Sequence, residues 1–63
     1  MPDRHPIFHD VERRAVAATI VEENGQRLLV LDLLHEDGSS SRILTLNDFD
    51  AHQLLSVCQQ YVD

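Results

Sequence analysis

Two runs of mostly apolar residues, 14–22 and 26–35, lie on either side of Asn24-Gly25. Asn-Gly is the strongest short-range hairpin signal, because both central residues of a type I′ turn need a positive φ. We therefore predict two antiparallel strands joined by a two-residue loop, in a register that places Thr19 opposite Val30. Both faces of this hairpin carry apolar side chains, so each face needs a cover.

A third strand is predicted around residues 42–44, behind a segment rich in turn-forming residues. If Asp37-Gly38 forms a second two-residue turn, Leu44 falls opposite Leu31. The two turn signals then select the same face of the sheet as the core.

A C-terminal helix is predicted to begin at Thr45, which fits the N-cap of a capping box with Asp48 at the third helical position. Asn47 is the alternative cap, with a weaker hydrophobic contact across the helix start. The apolar residues that follow fill an arc of about 180°. We therefore expect the helix to cover one face of the sheet, with Cys58 packed in the core.

These elements predict an α+β fold, a three-stranded antiparallel β-meander followed by a C-terminal α-helix (β-β-β-α). Residues 1–13 are predicted as an N-terminal arm that can add one short strand, and residues 14–63 as a single domain. The sheet face opposite the helix is the predicted interaction surface, covered either by the arm or by a second molecule. Its members are small or apolar apart from one aspartate: Ala15, Ala17, Thr19, Val21, Leu28, Val30, Asp32, Leu34 and Ile43.

A chain of 63 residues is one small domain at most, and it buries only about 60% of the surface that its unfolded form exposes. Such domains recruit disulfides, a metal or an oligomeric partner. Cys58 is the only cysteine, which excludes a disulfide within the chain and, without a secretory segment, indicates a cytoplasmic location. No apolar run is long enough to span a bilayer. We expect a homodimer, since two-fold self-association is the commonest closed assembly.

The charge of the chain argues against nucleic acid as a partner. Its net charge is −6, it has no lysine, and its five arginines are scattered, whereas binding to phosphates needs a basic track. An acidic surface suits a partner protein with a basic surface. The acidic residues expected at the rim of the interface are Asp10, Glu12, Glu22, Glu23, Glu36 and Asp37.

The sequence contains no convincing set of catalytic, cofactor-binding or metal-binding residues. His5 and His9 have the spacing of two ligands on one helix face, but Pro6 follows His5 and no helix is indicated there. Asp48 and Asp50 are explained by the positive end of the helix dipole. We therefore predict no enzyme activity, no cofactor and no metal.

The segment Ile43-Leu44-Thr45-Leu46, in which a strand leads into the C-terminal helix, resembles the corresponding junction of the PC4-like transcriptional coactivators. The resemblance covers the last third of the chain and implies dimers that bind single-stranded DNA. The basic strands and aromatic platforms that such binders use for stacking are absent, because the only aromatic residues are Phe8, Phe49 and Tyr61.

Two functions remain as hypotheses. The first is a small acidic, non-enzymatic protein–protein interaction module, a regulator, adaptor or inhibitor that forms homodimers. The alternative is a single-stranded nucleic-acid-binding protein of PC4-like architecture.

Overall fold

A computed structural model describes residues 6–63 as a four-stranded antiparallel sheet followed by one helix. The elements are β1 (Ile7–His9), β2 (Ala15–Glu23), β3 (Gln26–Leu34), β4 (Ser40–Leu46) and α1 (Asp48–Val62). Each strand pairs with the next along the chain. The predicted α+β meander is confirmed, and β1 is the short strand that the N-terminal arm adds to it.

The hairpin of β2 and β3 forms in the predicted register. Asn24 and Gly25 have φ values of 52° and 77°, the left-handed conformation that a type I′ turn requires. An unbroken ladder runs back from this turn and includes the pair of Thr19 and Val30. Local turn chemistry therefore sets the register of the two longest strands.

The turn between β3 and β4 is longer than predicted. The backbone N–H of His35 donates to the carbonyl oxygen of Ser39 at 2.9 Å, which leaves three residues in the loop instead of two. Gly38 adopts a φ of 93°, as the last residue of a three-residue hairpin loop usually does. The ladder next to this turn pairs Asp32 with Arg42, one residue away from the predicted register.

A β-bulge in β4 restores the predicted pairing beyond this point. Because Asp32 pairs with Arg42 and Leu31 with Leu44, Ile43 has no partner on β3. Without the bulge, Leu44 would lie opposite Val30 and on the wrong face of the sheet. Ile43, which was predicted on the interaction surface opposite the helix, is therefore the bulged residue and is 53% exposed.

The helix begins two residues later than predicted. The side chain of Asn47 accepts a hydrogen bond from the backbone N–H of Asp50 at 2.9 Å and is the N-cap. Thr45 still belongs to β4, where it lies opposite Val30. The prediction of Thr45 as cap was wrong because the strand ladder continues past it.

The two faces of the sheet are named here after their buried valines. The Val16 face carries the apolar residues Phe8, Val16, Ala18, Ile20, Leu29, Leu31, Leu33, Leu44 and Leu46, with Ser41 and the Glu22–Arg27 pair at its ends. The Val30 face carries Ala15, Ala17, Thr19, Val21, Leu28, Val30, Asp32 and Leu34, together with residues of β1 and β4. In residues 6–63, Val16 and Val30 are the only buried hydrophobic side chains, at 7% and 1% exposure.

The helix does not cover the sheet, contrary to the prediction. None of its residues is buried, and within α1 only Ala51 is half-buried. Cys58, predicted in the core, is exposed. The first turn of α1 meets the sheet at an open groove of about 310 Å³, whose lining includes Ile20, Leu46 and Ala51. The amphipathic pattern of α1 indicates that its apolar side packs against another surface. It does not indicate whether that surface belongs to the same chain.

Candidate protein interaction surfaces

Eight of the nine residues of the predicted interaction surface lie together on the Val30 face, and Ile43 at the bulge is the exception. Val30 is buried, and the other seven are half-buried. Several of these side chains are small, such as Ala17 and Thr19, and project only a short distance from the sheet. The structure thus gathers the predicted residues into one shallow surface.

The sheet curls toward the Val30 face. Glu23 and Arg42 form an ion pair at 3.4 Å, although they belong to the two strands that flank β3. Their partners on β3, Gln26 and Asp32, are six residues apart, which is about 20 Å along a flat strand. The pair can form only because opposite corners of the twisted sheet bend over this face. Val30, at the centre of this face, is 1% exposed.

Most acidic residues of the sheet lie around this face, at or beside the turns. The six rim residues lie at or beside the three turns of the sheet: Asp10, Glu12, Glu22, Glu23, Glu36 and Asp37. Asp32 is the acidic side chain near the centre, half-buried opposite Arg42. An apolar centre with a charged rim is the usual anatomy of a protein–protein interface.

Two of these carboxylates order their turns. The backbone N–H of Arg14, which donates to Asp10 at 2.9 Å, lowers the pKa of Asp10 most strongly, and the Arg14 side chain contributes at 2.6 Å. The hydroxyl and backbone N–H of Ser39 lower the pKa of Asp37, at 2.6 Å and 2.9 Å. Both groups are therefore ionised at neutral pH and hold the turns that they occupy.

Arginines of the described chain are partly neutralised by these acids. Arg14 pairs with Asp10 at 2.6 Å, and Arg42 pairs with Glu23 at 3.4 Å. Arg13, beside Arg14, lines a cleft of about 480 Å³ that also contains acidic side chains. This mixture of charges is a poor match for a polyphosphate chain.

The structure has a second exposed apolar surface, formed by the Val16 face and α1. The sequence predicted that these residues would be buried against each other in the core. The Val16 face exposes Ile20 by 61%, and α1 exposes Leu55 by 60% and Tyr61 by 89%. One signal was available: residues 51–62 contain no aspartate, glutamate, lysine or arginine. A helix with one face in water usually carries charges on that face.

The N-terminal arm does not cover either face within the described residues. Ile7 and Phe8 lie in β1, at the edge of the sheet beside β2, and are 58% and 47% exposed. Val11, in the following turn, is 100% exposed. The predicted cover of the Val30 face was either the N-terminal arm or a second molecule. The described residues of the arm do not provide the first of these covers.

The histidines are dispersed. His35 is hydrogen-bonded to Ser41 at 2.7 Å, His52 lies near Asp48 on α1, and His9 lies in β1. His5 lies outside the described residues. Within residues 6–63, no three His, Cys, Asp or Glu side chains gather around a position for a metal ion. In the same range, no helix is long and apolar enough to cross a membrane.

Comparisons with known proteins add no further identification: no protein-family model matches the chain, and no curated protein or solved structure is significantly similar to it.

Proposed function

We propose that this chain is a small acidic, non-enzymatic interaction module that forms homodimers and binds another protein. One observation carries the proposal. Within residues 6–63, two hydrophobic side chains are buried, whereas twelve large hydrophobic side chains are exposed. Exposed apolar surface on this scale is typical of chains that associate with another protein.

The partner protein is proposed to have a basic surface and to bind the Val30 face. The apolar centre of that face provides the area that the complex would bury. The acidic turns around it would attract the positively charged partner and set its orientation. Regulators, adaptors and inhibitors of basic proteins act in this way.

Affinity capture from the native cell, with variants of the chain as bait, tests this assignment. Thr19→Arg places a bulky positive charge on the Val30 face, and Gln60→Arg makes the same charge change on α1. We expect one partner protein to be retained by the wild type and by Gln60→Arg and lost by Thr19→Arg. Equal recovery by all three baits would contradict binding through the Val30 face.

The alternative function is binding of single-stranded nucleic acid, and one observation favours it: an antiparallel meander followed by a C-terminal helix. We expect no useful affinity for single- or double-stranded DNA at near-physiological salt, because the chain has a net charge of −6 and no lysine. Fluorescence anisotropy with a labelled oligonucleotide measures this directly. Micromolar binding that weakens as salt rises and disappears in Arg13→Ala/Arg14→Ala would instead favour the alternative.

A further inference from the structure

The helix carries an apolar stripe that continues from its point of contact with the sheet. Ala51 lines the groove against Ile20 and Leu46, and the helical repeat places further apolar residues in line with it. The α1 stripe consists of Ala51, Leu54, Leu55, Cys58, Tyr61 and Val62.

We infer that the homodimer forms by joint burial of the α1 stripes and the Val16 faces of two copies around a two-fold axis. The Val30 faces stay outside and remain open to the other protein. This inference rests on the proposed function, for which it names the self-association surface.

The helix needs a partner surface to be stable. An isolated helix of 15 residues is marginal in water, and α1 buries almost nothing against its own sheet. Its first turn has favourable acidic residues, but its last turn has no basic residue, and Asp63 stands at the negative end of the dipole. Burial of the stripe supplies the stabilisation that the helix lacks.

A second copy matches the two surfaces in size and charge. The 15 residues of α1 extend for about 22 Å, enough to cross the roughly 14 Å between the outer strands of a four-stranded sheet. The stripe carries no charged residue, and the charged residues on the Val16 face are Glu22 and Arg27, which pair with each other next to the Asn24-Gly25 turn. Apart from Asp32 on the opposite face and Asp63 at the end of α1, the acidic residues of the described chain lie at or beside the turns and at the helix start, so two copies of an acidic chain can meet here with little repulsion.

The exposed area of the chain also fits a dimer. The chain exposes 5515 Å², whereas a compact protein of 7.2 kDa exposes about 4,100 Å². Its radius of gyration is 12.9 Å, against about 11 Å for a compact chain of this length. The excess area is larger than the roughly 800 Å² that each partner buries in a standard interface.

Two matched substitutions on α1 test the inference. Leu55 and Val57 are both 60% exposed, but they lie about 160° apart around the helix axis. Sedimentation at micromolar concentration is expected to give twice the chain mass for the wild type and for Val57→Asp. Leu55→Asp, and Ile20→Asp on the Val16 face, are expected to reduce the mass to that of one chain, 7.2 kDa.

The outcomes separate this inference from the proposed function. A dimer that survives Leu55→Asp and Ile20→Asp but is lost in Thr19→Arg would overturn the inference and leave the homodimer in place. A monomeric wild type would overturn both. Loss of the dimer in Val57→Asp as well as in Leu55→Asp would contradict the inference that the dimer forms through the α1 stripe.

The native thiol gives a second test that needs no substitution. Cys58 lies on the stripe and is exposed in the single chain, so a disulfide exchange reagent reaches it only in the monomer. We expect its rate of modification to fall in proportion to the monomer fraction as concentration rises. A rate constant that stays the same across the range in which the mass doubles would overturn the inference.

Discussion

The sheet and the helix of this chain are stabilised in different ways. Long-range pairing holds the sheet, and the Glu23–Arg42 ion pair joins β2 to β4 across its Val30 face. The helix has a local cap at Asn47 and no buried residue. The strands β2, β3 and β4 therefore satisfy their backbone pairing within one chain, whereas α1 depends on the surface that covers it.

The largest difference is expected between two valine substitutions, one in each region. Val30→Ala removes two methyl groups from a fully buried position and is expected to cost about 2 kcal/mol of unfolding free energy. Val57→Ala makes the same change at an exposed helix position and is expected to stay within about 0.5 kcal/mol. Urea unfolding measures both. Equal losses would contradict the contrast between sheet and helix.

The turn at Gly25 is expected to give the next largest effect. Gly25→Ala forces a side chain into a φ of 77° and is expected to destabilise the sheet by roughly 1–2 kcal/mol. The space around the position is open, so the loss reflects backbone strain alone. Gly25→Asn is the control, since asparagine tolerates this conformation and is expected to cost less. Thermal unfolding of the two variants decides whether the turn chemistry sets the hairpin.

A substitution of the helix cap should act on the helix and spare the sheet. Asn47→Ala removes the acceptor for the Asp50 N–H and is expected to cost the helix about 1 kcal/mol. Circular dichroism should show reduced helix content, while amide exchange in β2 and β3 stays slow. Thr45→Ala is the control and is expected to leave helix content unchanged. The reverse result would return the cap to Thr45.

Local signals predicted the sheet better than they predicted its connections. Asn24-Gly25 specifies its own turn geometry, so the β2–β3 register could be read from sequence. Asp37-Gly38 predicted where the second turn lies but not how many residues its loop contains. Its length depends on the His35–Ser39 hydrogen bond and on the bulge at Ile43, and neither has a local sequence signature.

The helix start and the apolar surfaces depended on long-range structure. Thr45 has good capping chemistry, but its pairing opposite Val30 keeps it in β4. The Val30 face could be assembled from strand alternation alone. The absence of charged residues from 51–62 indicates that α1 has no typical water-facing side. It does not predict that Leu55 and Ile20 are exposed, because the angle at which α1 leaves the sheet is not encoded in the periodicity of the helix.

The smallest expected effect concerns acid and acts on two turns of the sheet. Hydrogen bonds from Arg14 and Ser39 lower the pKa of Asp10 and Asp37 below the ordinary value of 3.8. A carboxylate with a lowered folded-state pKa contributes stability that is fully present above its unfolded value and is lost as pH falls through the folded value. The two turns should therefore loosen only below pH 3.8.

NMR titration of the two carboxyl groups and of the turn amides measures this effect. Asp37→Asn should remove the transition from the β3–β4 turn and leave that of Asp10 unchanged, because the two carboxylates lie in different turns with separate donors. Both side chains are accessible to water, so the change in overall stability is expected to be slight. Carboxyl groups that titrate at or above 3.8 would show that these hydrogen bonds do not persist in solution. The two turns would then be held by their backbone hydrogen bonds, such as those from Arg13 to Asp10 and from His35 to Ser39.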